Sequence, residues 1–239
     1  MGNPQFICGP YAPPMARFVV RVWLPDRPGA LGLVASRIGA VRGEILGIEI
    51  LEQRAGRAID EFVVALPDPV PVALLVDEIN AVDGVDVDDV HPDPETMSDP
   101  RLEALETATV LMGAGTPVEV LAMLVEHAQR HLAAGWAAVV DASGPAVEAA
   151  VGAVPSLSWL VAFIHGSRSS DRVAAGDSGP DGLAWASLAS GALDLVVGRC
   201  GRPLHARERH QLAAMARLAD LRWRQLSTAS SAGPLSASS

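Results

Sequence analysis

Few residues in this chain have both the type and the spacing to do chemistry. His127 and His131 lie four apart in a stretch with helical apolar spacing, so both rings leave one helix face and can share a metal ion. The stretch reads His-Ala-Gln-Arg-His, without the Glu that follows the first His of a zinc-protease helix, and a surface pair is the expectation. His205, Glu208 and His210 are expected as solvated residues at the start of a last helix. The aspartates of residues 83–89 lack the spacing and closing Glu of a calcium loop and read as the wet face of a strand. Ser143-Gly144 and Ser167 lack a Gly-x-Ser-x-Gly elbow and a recognisable base. Gly113-Ala114-Gly115 does not follow a strand, so it is no phosphate loop. All 18 basic residues are arginine, which excludes a Schiff base and a P-loop lysine. Cys8 and Cys200 form no CxxC motif, and a reduced, cytoplasmic protein is expected. No catalytic residue, metal ligand or cofactor is assigned.

The run Asp26-Arg27-Pro28-Gly29-Ala30-Leu31 is different. A glycine at a helix start lets a ligand approach the backbone. The free N–H groups of a first turn favour a carboxylate. Asp26 can accept an ammonium group, and an α-amino acid offers that pair of charges. The alternative is architectural: Asp26 caps the helix, Pro28 sits in its first turn, and Gly29 lets helix and sheet pack.

The elements around this run follow from periodicity. Residues 17–24 alternate, with Phe18, Val20, Val22 and Leu24 on one side, as a half-buried strand requires. Leu31, Val34, Ala35, Ile38 and Val41 have the i, i+3, i+4, i+7 spacing of a helix, which Gly43 ends. Residues 44–53 and 57–66 are strands joined by an Ala55-Gly56 hairpin turn; in the second, Ala58, Asp60, Phe62, Val64 and Leu66 share one side. Residues 69–81 form a helix with the stripe Val72, Leu75, Val76 and Ile79, and Val85, Val87 and Val90 mark a last strand. The order β-α-β-β-α-β is the ferredoxin-like split βαβ arrangement, with both helices on one face of a four-stranded antiparallel sheet.

This order, with the Leu24-to-Leu31 run between first strand and first helix, resembles the ACT domain over residues 16–92. The resemblance implies a small-ligand sensor in which amino acids sit beside this loop, between paired domains. It makes Asp26, Arg27, Gly29, Ala30 and Leu31 the candidate ligand-binding residues.

Residues 93–100 are rich in Pro and Asp without apolar period and read as a stiff linker. Beyond it, residues 102–112 read as a helix, and Thr116-Pro117-Val118-Glu119 opens another with a capping box. Residues 136–141 are expected as a buried strand, 143–145 as the start of a short helix, and 158–165, nearly continuous in apolar residues, as a central strand. A polar loop at 167–170, strands at 183–188 and 193–199 around Ala189-Ser190-Gly191, and a long helix at 203–226 complete the pattern. Arg217, Arg222 and Arg224 are expected in its last turns, suiting the helix dipole or a partner surface. The close of this segment, Leu195-Val196-Val197-Gly198-Arg199 through Glu208-Arg209-His210 to Ala216, resembles the end of a GAF domain over residues 101–226. It lacks the Asn-Lys-Phe-Asp-Glu run of cyclic-nucleotide-binding members. That resemblance implies a small-molecule sensor or a dimerisation scaffold.

The fold class expected is α+β, a ferredoxin-like domain followed by a GAF-like one. Residues 1–15 and 227–239 read as disordered tails, with Met15 as the expected native start and no signal peptide ahead of it. With 49% hydrophobic residues the chain can build real cores, and a net charge of -10 disfavours nucleic acid and anionic membranes. The expected function is regulatory: a homodimer that binds an amino acid or similar small ligand and acts through an unidentified protein partner. The alternatives are a ligand-free dimerisation scaffold, or a regulatory subunit or enzyme with its active site in residues 136–199.

Overall fold

The computed structural model describes residues 15–68, 70–93, 100–170, 180, 182–188 and 192–231. The expected tail at 1–14, Pro69, most of the linker, the 189–191 turn and residues 232–239 lie outside them. The chain divides into two compact units between Met97 and Ser98. Both are α+β, each with one four-stranded antiparallel sheet.

The first unit runs β1 (Met15–Pro25), α1 (Ala30–Ala40), β2 (Glu44–Arg54), β3 (Arg57–Pro67), α2 (Val72–Asn80) and β4 (Asp86–Pro92). Its sheet order is β2-β3-β1-β4, with every pair antiparallel, which is the ferredoxin-like arrangement. Val20, Val22 and Leu24 of β1 and Phe62, Val64 and Leu66 of β3 meet Val34 and Ile38 of α1 and Leu75 and Ile79 of α2 in one core. Each such side chain contributes about 1.5–3 kcal/mol of burial. Ala55 (φ 53°) and Gly56 (φ 78°) make the β2–β3 turn, both left-handed as a tight hairpin demands. Helix α1 ends on Arg42, φ 60°, and not on Gly43 itself. The Gly43 N–H reaches back to the Ile38 carbonyl and that of Arg42 to Gly39, closing a Schellman motif.

The second unit runs α3 (Pro100–Gly113), α4 (Pro117–His131), β5 (Trp136–Asp141), β6 (Ala146–Gly152), α5 (Leu157–Arg168), β7 (Leu183–Leu188), β8 (Leu193–Gly198) and α6 (Ala206–Ser231). The sheet order is β6-β5-β8-β7. One face packs Val139, Leu195 and Val197 against α4 and α6; the other packs Ala138, Val140 and Val196 against Leu160 and Ile164 of α5. The capping box forms: Thr116 Oγ1 accepts from the Glu119 N–H at 3.2 Å, and the Glu119 carboxylate accepts from the Gly115 N–H at 2.8 Å.

Four expectations are corrected here. Residues 158–165 are helix, not strand: Leu160, Ile164 and Ser167 are buried at helical spacing, with Leu157, Val161 and Phe163 half-buried beside them. The expected loop from Ser167 begins only after Arg168. Residues 143–145 start no helix. The Asp141 carboxylate accepts from the Ser143 and Gly144 N–H groups, and this turn feeds an alanine-rich edge strand, β6. The last helix also runs through Ser231, so residues 227–231 of the expected tail are helical.

Arg199 ties the end of β8 to α4 and to the start of α6. It is 6% exposed and donates to both oxygens of Glu208 (2.9 and 3.1 Å), to the Leu132 carbonyl at the end of α4, and to the Arg202 and Pro203 carbonyls. Glu208 also accepts from the His205 N–H at 2.8 Å. Removing one partner of such a pair leaves the other charge buried and uncompensated. Glu208→Gln is expected to lower stability by about 3 kcal/mol in urea unfolding; a loss under about 1 kcal/mol would mean that the pair holds little.

Candidate ligand site at the first strand–helix loop

The loop between β1 and α1 begins where Pro25 ends the ladder. The Asp26 N–H donates to the Gly56 carbonyl at 2.9 Å, which fastens the loop to the β2–β3 hairpin. The Arg27 N–H donates to Pro25 and the Ala30 N–H to Arg27. Gly29 is the N-cap of α1, at φ 88°, ψ -14°. Side chains avoid this left-handed region. No atom lies within 4 Å of where a Cβ would stand, so the space above the glycine is open. Helix α1 has no side-chain cap, and Pro28 precedes the cap. The architectural reading of Asp26 as helix cap and Pro28 as first-turn residue is therefore corrected. The N–H groups of Leu31 and Gly32 receive no carbonyl from the loop, leaving orphan donors at the positive end of the helix.

The side chains divide sharply. The side chains of Asp26 and Arg27 are exposed and make no hydrogen bond or ion pair with the described residues. Ala30 turns into the core, and Leu31 is exposed. Arg37 donates to Glu78 of α2 at 3.1 Å, which fixes the flank of α1 that faces α2. Leu31 falls on the other flank, toward β2. There the side chains of Leu46, Ile48 and Ile50 are also exposed.

On the helix-facing side of the sheet lies Asp60 of β3, paired with Val22 and Ile50 and on the side of Phe62 and Ala58. It is 4% exposed, and its Oδ1 has no hydrogen-bond partner. Burial pushes its carboxyl above the ordinary carboxylate range, and the charge of Asp26 pushes the same way. The site reading of the sequence missed Asp60. The signal was an acid placed among Ala58, Phe62, Val64 and Leu66 on the inward side of an alternating strand.

The remaining candidates are structural. His127 and His131 are not a surface pair. Thr107 of α3 stands between them, its Oγ1 3.3 Å from His127 Nδ1 and 2.7 Å from His131 Nε2, and Glu103 Oε2 is 3.2 Å from His131 Nδ1. The rings stack at 5.6 Å. Among the described residues no group of three His, Cys, Asp or Glu could hold a metal ion. Burial holds His127 below its usual value, and Arg130 and His131 add to this. His205 and Glu208 are buried, not solvated, because the Arg199 bracket encloses the start of α6; His210 is exposed. Asp86 pairs with Arg57, Asp88 accepts from the Trp23 indole N–H, and Asp89 pairs with His91. The Ser143 hydroxyl donates to Asp141, and that bond with the two turn N–H groups holds Asp141 below the ordinary range. Ser167 is buried in α5. Because α6 continues to Ser231, Arg217, Arg222 and Arg224 are not in its last turns. Arg222 donates to the Ala114 carbonyl, and Arg224 pairs with Asp220 one turn earlier.

No family model and no curated protein matches the chain. Similar solved structures include an uncharacterised protein from Thermotoga maritima, at 18% identity over 34% of this chain and 100% of that one, TM-score 0.28. An unknown protein from Galdieria sulphuraria is 14% identical over 41% of this chain and 64% of that one, TM-score 0.31. A formyltetrahydrofolate deformylase from Pseudomonas putida is 14% identical over 38% of this chain and 35% of that one, TM-score 0.27.

The His127 environment makes a pH prediction. Its folded value lies below the usual 6.5, so near pH 6 the unfolded chain binds more protons than the folded one. The stability it contributes is complete above that value and is lost as pH falls through the folded one. Between about pH 7 and about pH 5, the Tm of His127→Gln is expected to fall less than that of the wild type. Equal falls would place the acid sensitivity elsewhere.

Proposed function

We propose that this protein is a small-molecule sensor of the ACT type, which binds an α-amino acid at the β1–α1 loop and acts as a regulator, not an enzyme. One observation carries the reading: open space over Gly29 adjoins orphan N–H groups at Leu31 and Gly32 and the unengaged side chains of Asp26 and Arg27. The N–H groups and Arg27 suit a carboxylate, and Asp26 suits an ammonium group. Gly29, Ala30 and Leu31 supply the backbone of the cradle.

The working form is a homodimer. Strand β2 is a sheet edge whose Leu46, Ile48 and Ile50 are exposed, and a second copy would close over them together with a ligand held beside them. Ligand bound beside that edge would favour one arrangement of the pair over another. The GAF-like second unit would carry the difference to a protein partner, a coupling of about 1–3 kcal/mol in typical cases. The net charge of -10 weighs against nucleic acid or an anionic membrane as that partner. No helix among the described residues is long and apolar enough to cross a membrane. A cytoplasmic setting fits the free thiol of Cys200. A ligand-free dimerisation scaffold would use the same edge strand and leave the loop idle.

Thermal unfolding against each amino acid and a small nucleotide panel separates the two readings. A ligand at a hundredfold excess over its Kd stabilises by about 2.7 kcal/mol, a shift of several degrees. One amino acid is expected to give that shift, and Asp26→Ala and Gly29→Val are expected to lose it. Silence across the panel would leave the scaffold.

A further inference from the structure

We propose that Asp60 is the anchor for the ligand's ammonium group, and that the exposed aliphatic side chains of Leu31, Ile48 and Ile50 beside it select an α-amino acid with an apolar side chain. The inference rests on the amino-acid-sensing reading and deepens it.

Asp60 lies almost wholly out of solvent, and its Oδ1 has no donor. Folded proteins rarely keep such a group without a partner or a use. Its sheet neighbours Val22 and Ile50, and Ala58 and Phe62 two residues either way along β3, carry no side-chain donor. The described cations of nearby strands are committed elsewhere. Arg57 donates to Asp86 and the Gly84 carbonyl and lies over the Trp23 ring. Arg21, on the other sheet face, pairs with Glu61 at 2.6 Å. Among the described residues, the ionised group that acts on Asp60 is Asp26, a second anion. Two carboxylates, one buried and one exposed, thus act on each other, and no described side chain supplies a cation to the buried one. A primary ammonium group offers three donors and one positive charge, enough for Asp60 Oδ1 and Asp26 together.

The helix end completes the match. An α-amino acid carries its carboxylate next to its ammonium group, and the orphan N–H groups of Leu31 and Gly32 begin a helix that packs on the same face of the sheet as Asp60. Its side chain then leaves toward the β2 flank. Ile50 is paired directly with Asp60 and is 51% exposed, Ile48 is 46% and Leu31 39%. Such a rim gains by burying apolar area and offers a polar side chain no partner.

The test uses the full chain, with binding followed by calorimetry and thermal unfolding. The probes are leucine, valine, phenylalanine, the other amino acids, 4-methylpentanoate (leucine without its amine) and calcium chloride. The wild type is expected to bind an apolar amino acid and to ignore 4-methylpentanoate. Asp60→Asn is expected to fold with an equal or higher Tm, since it removes a buried charge that lacks a partner, and to bind about 100-fold more weakly. Ile50→Ser, at an exposed position, is expected to weaken the apolar ligand about tenfold. Asp60→Asn binding as tightly as wild type would overturn the anchor and leave the sensor reading standing. An unfolded Asp60→Asn would make Asp60 a structural residue and would overturn the anchor in the same way. Response to polar amino acids alone, or unchanged affinity in Ile50→Ser, would overturn the apolar selection. Response to calcium alone, lost in Asp60→Asn, would give the two acids to a metal ion and overturn the anchor. No response to any amino acid would bring down the sensor reading and the anchor together.

Discussion

The register between β1 and β3 decides where everything in the first unit sits. Side chains alternate along a strand, so a slip of one residue would turn Val20, Val22 and Leu24 away from the helices and bring Arg21 and Trp23 inward. In the observed register Val20 faces Phe62, Val22 faces Asp60, and Pro25 faces Arg57. The first two pairings make a core. The last brings the Asp26 N–H to Gly56 and so sets the height at which the chain leaves the sheet to begin α1. The same register that buries Phe62 also buries Asp60, because both project to one face. The acid is therefore held where it is by the packing energy of its neighbours.

The second unit solves its corresponding problem with an ion pair. A strand that ends inside a fold leaves carbonyl groups and a change of direction to stabilise. Arg199 answers with a planar fork of donors that reaches α4, the connection after β8, and Glu208 on α6. Asp194, fully buried on β8, is held in the same way, by the Trp185 indole N–H at 2.8 Å and Arg168 at 2.7 Å. Burial still outweighs both partners and keeps its carboxyl above the ordinary range.

Elements with a strong period were legible in the sequence. The βαββαβ order, the Ala55-Gly56 hairpin and the Thr116 capping box follow from local chemistry that tertiary packing only confirms. Residues 146–152 and 158–165 were not legible, for a physical reason. A short, nearly continuous apolar run fits a buried strand or a helix equally well, and only the sheet it packs on decides. With α5 over one face, Trp159 lies flat on Phe163 and edge-on to Trp136, a helical i, i+4 contact that no periodicity count separates from a strand. The ionisable residues failed for a related reason. Glu208, His205 and His127 sit at positions where an exposed helix surface is the usual outcome. Each is buried by a partner far along the chain or across a turn: Arg199 for the first two, and the α3 helix with Thr107 for the third.

Set side by side, the buried acids separate structure from function. Glu208 meets an arginine and a backbone N–H, and Asp194 an arginine and an indole. Their charges are compensated inside the chain, so the fold alone accounts for them. Asp60 Oδ1 meets no donor among the described residues, and the described charge that acts on it has its own sign. An apolar residue of similar size in that register would pack against Val22 and Phe62 without the desolvation cost. The carboxylate therefore makes the first unit less stable than its own pattern allows. In the proposed reading that cost is retained because the compensating charge would arrive with the ligand.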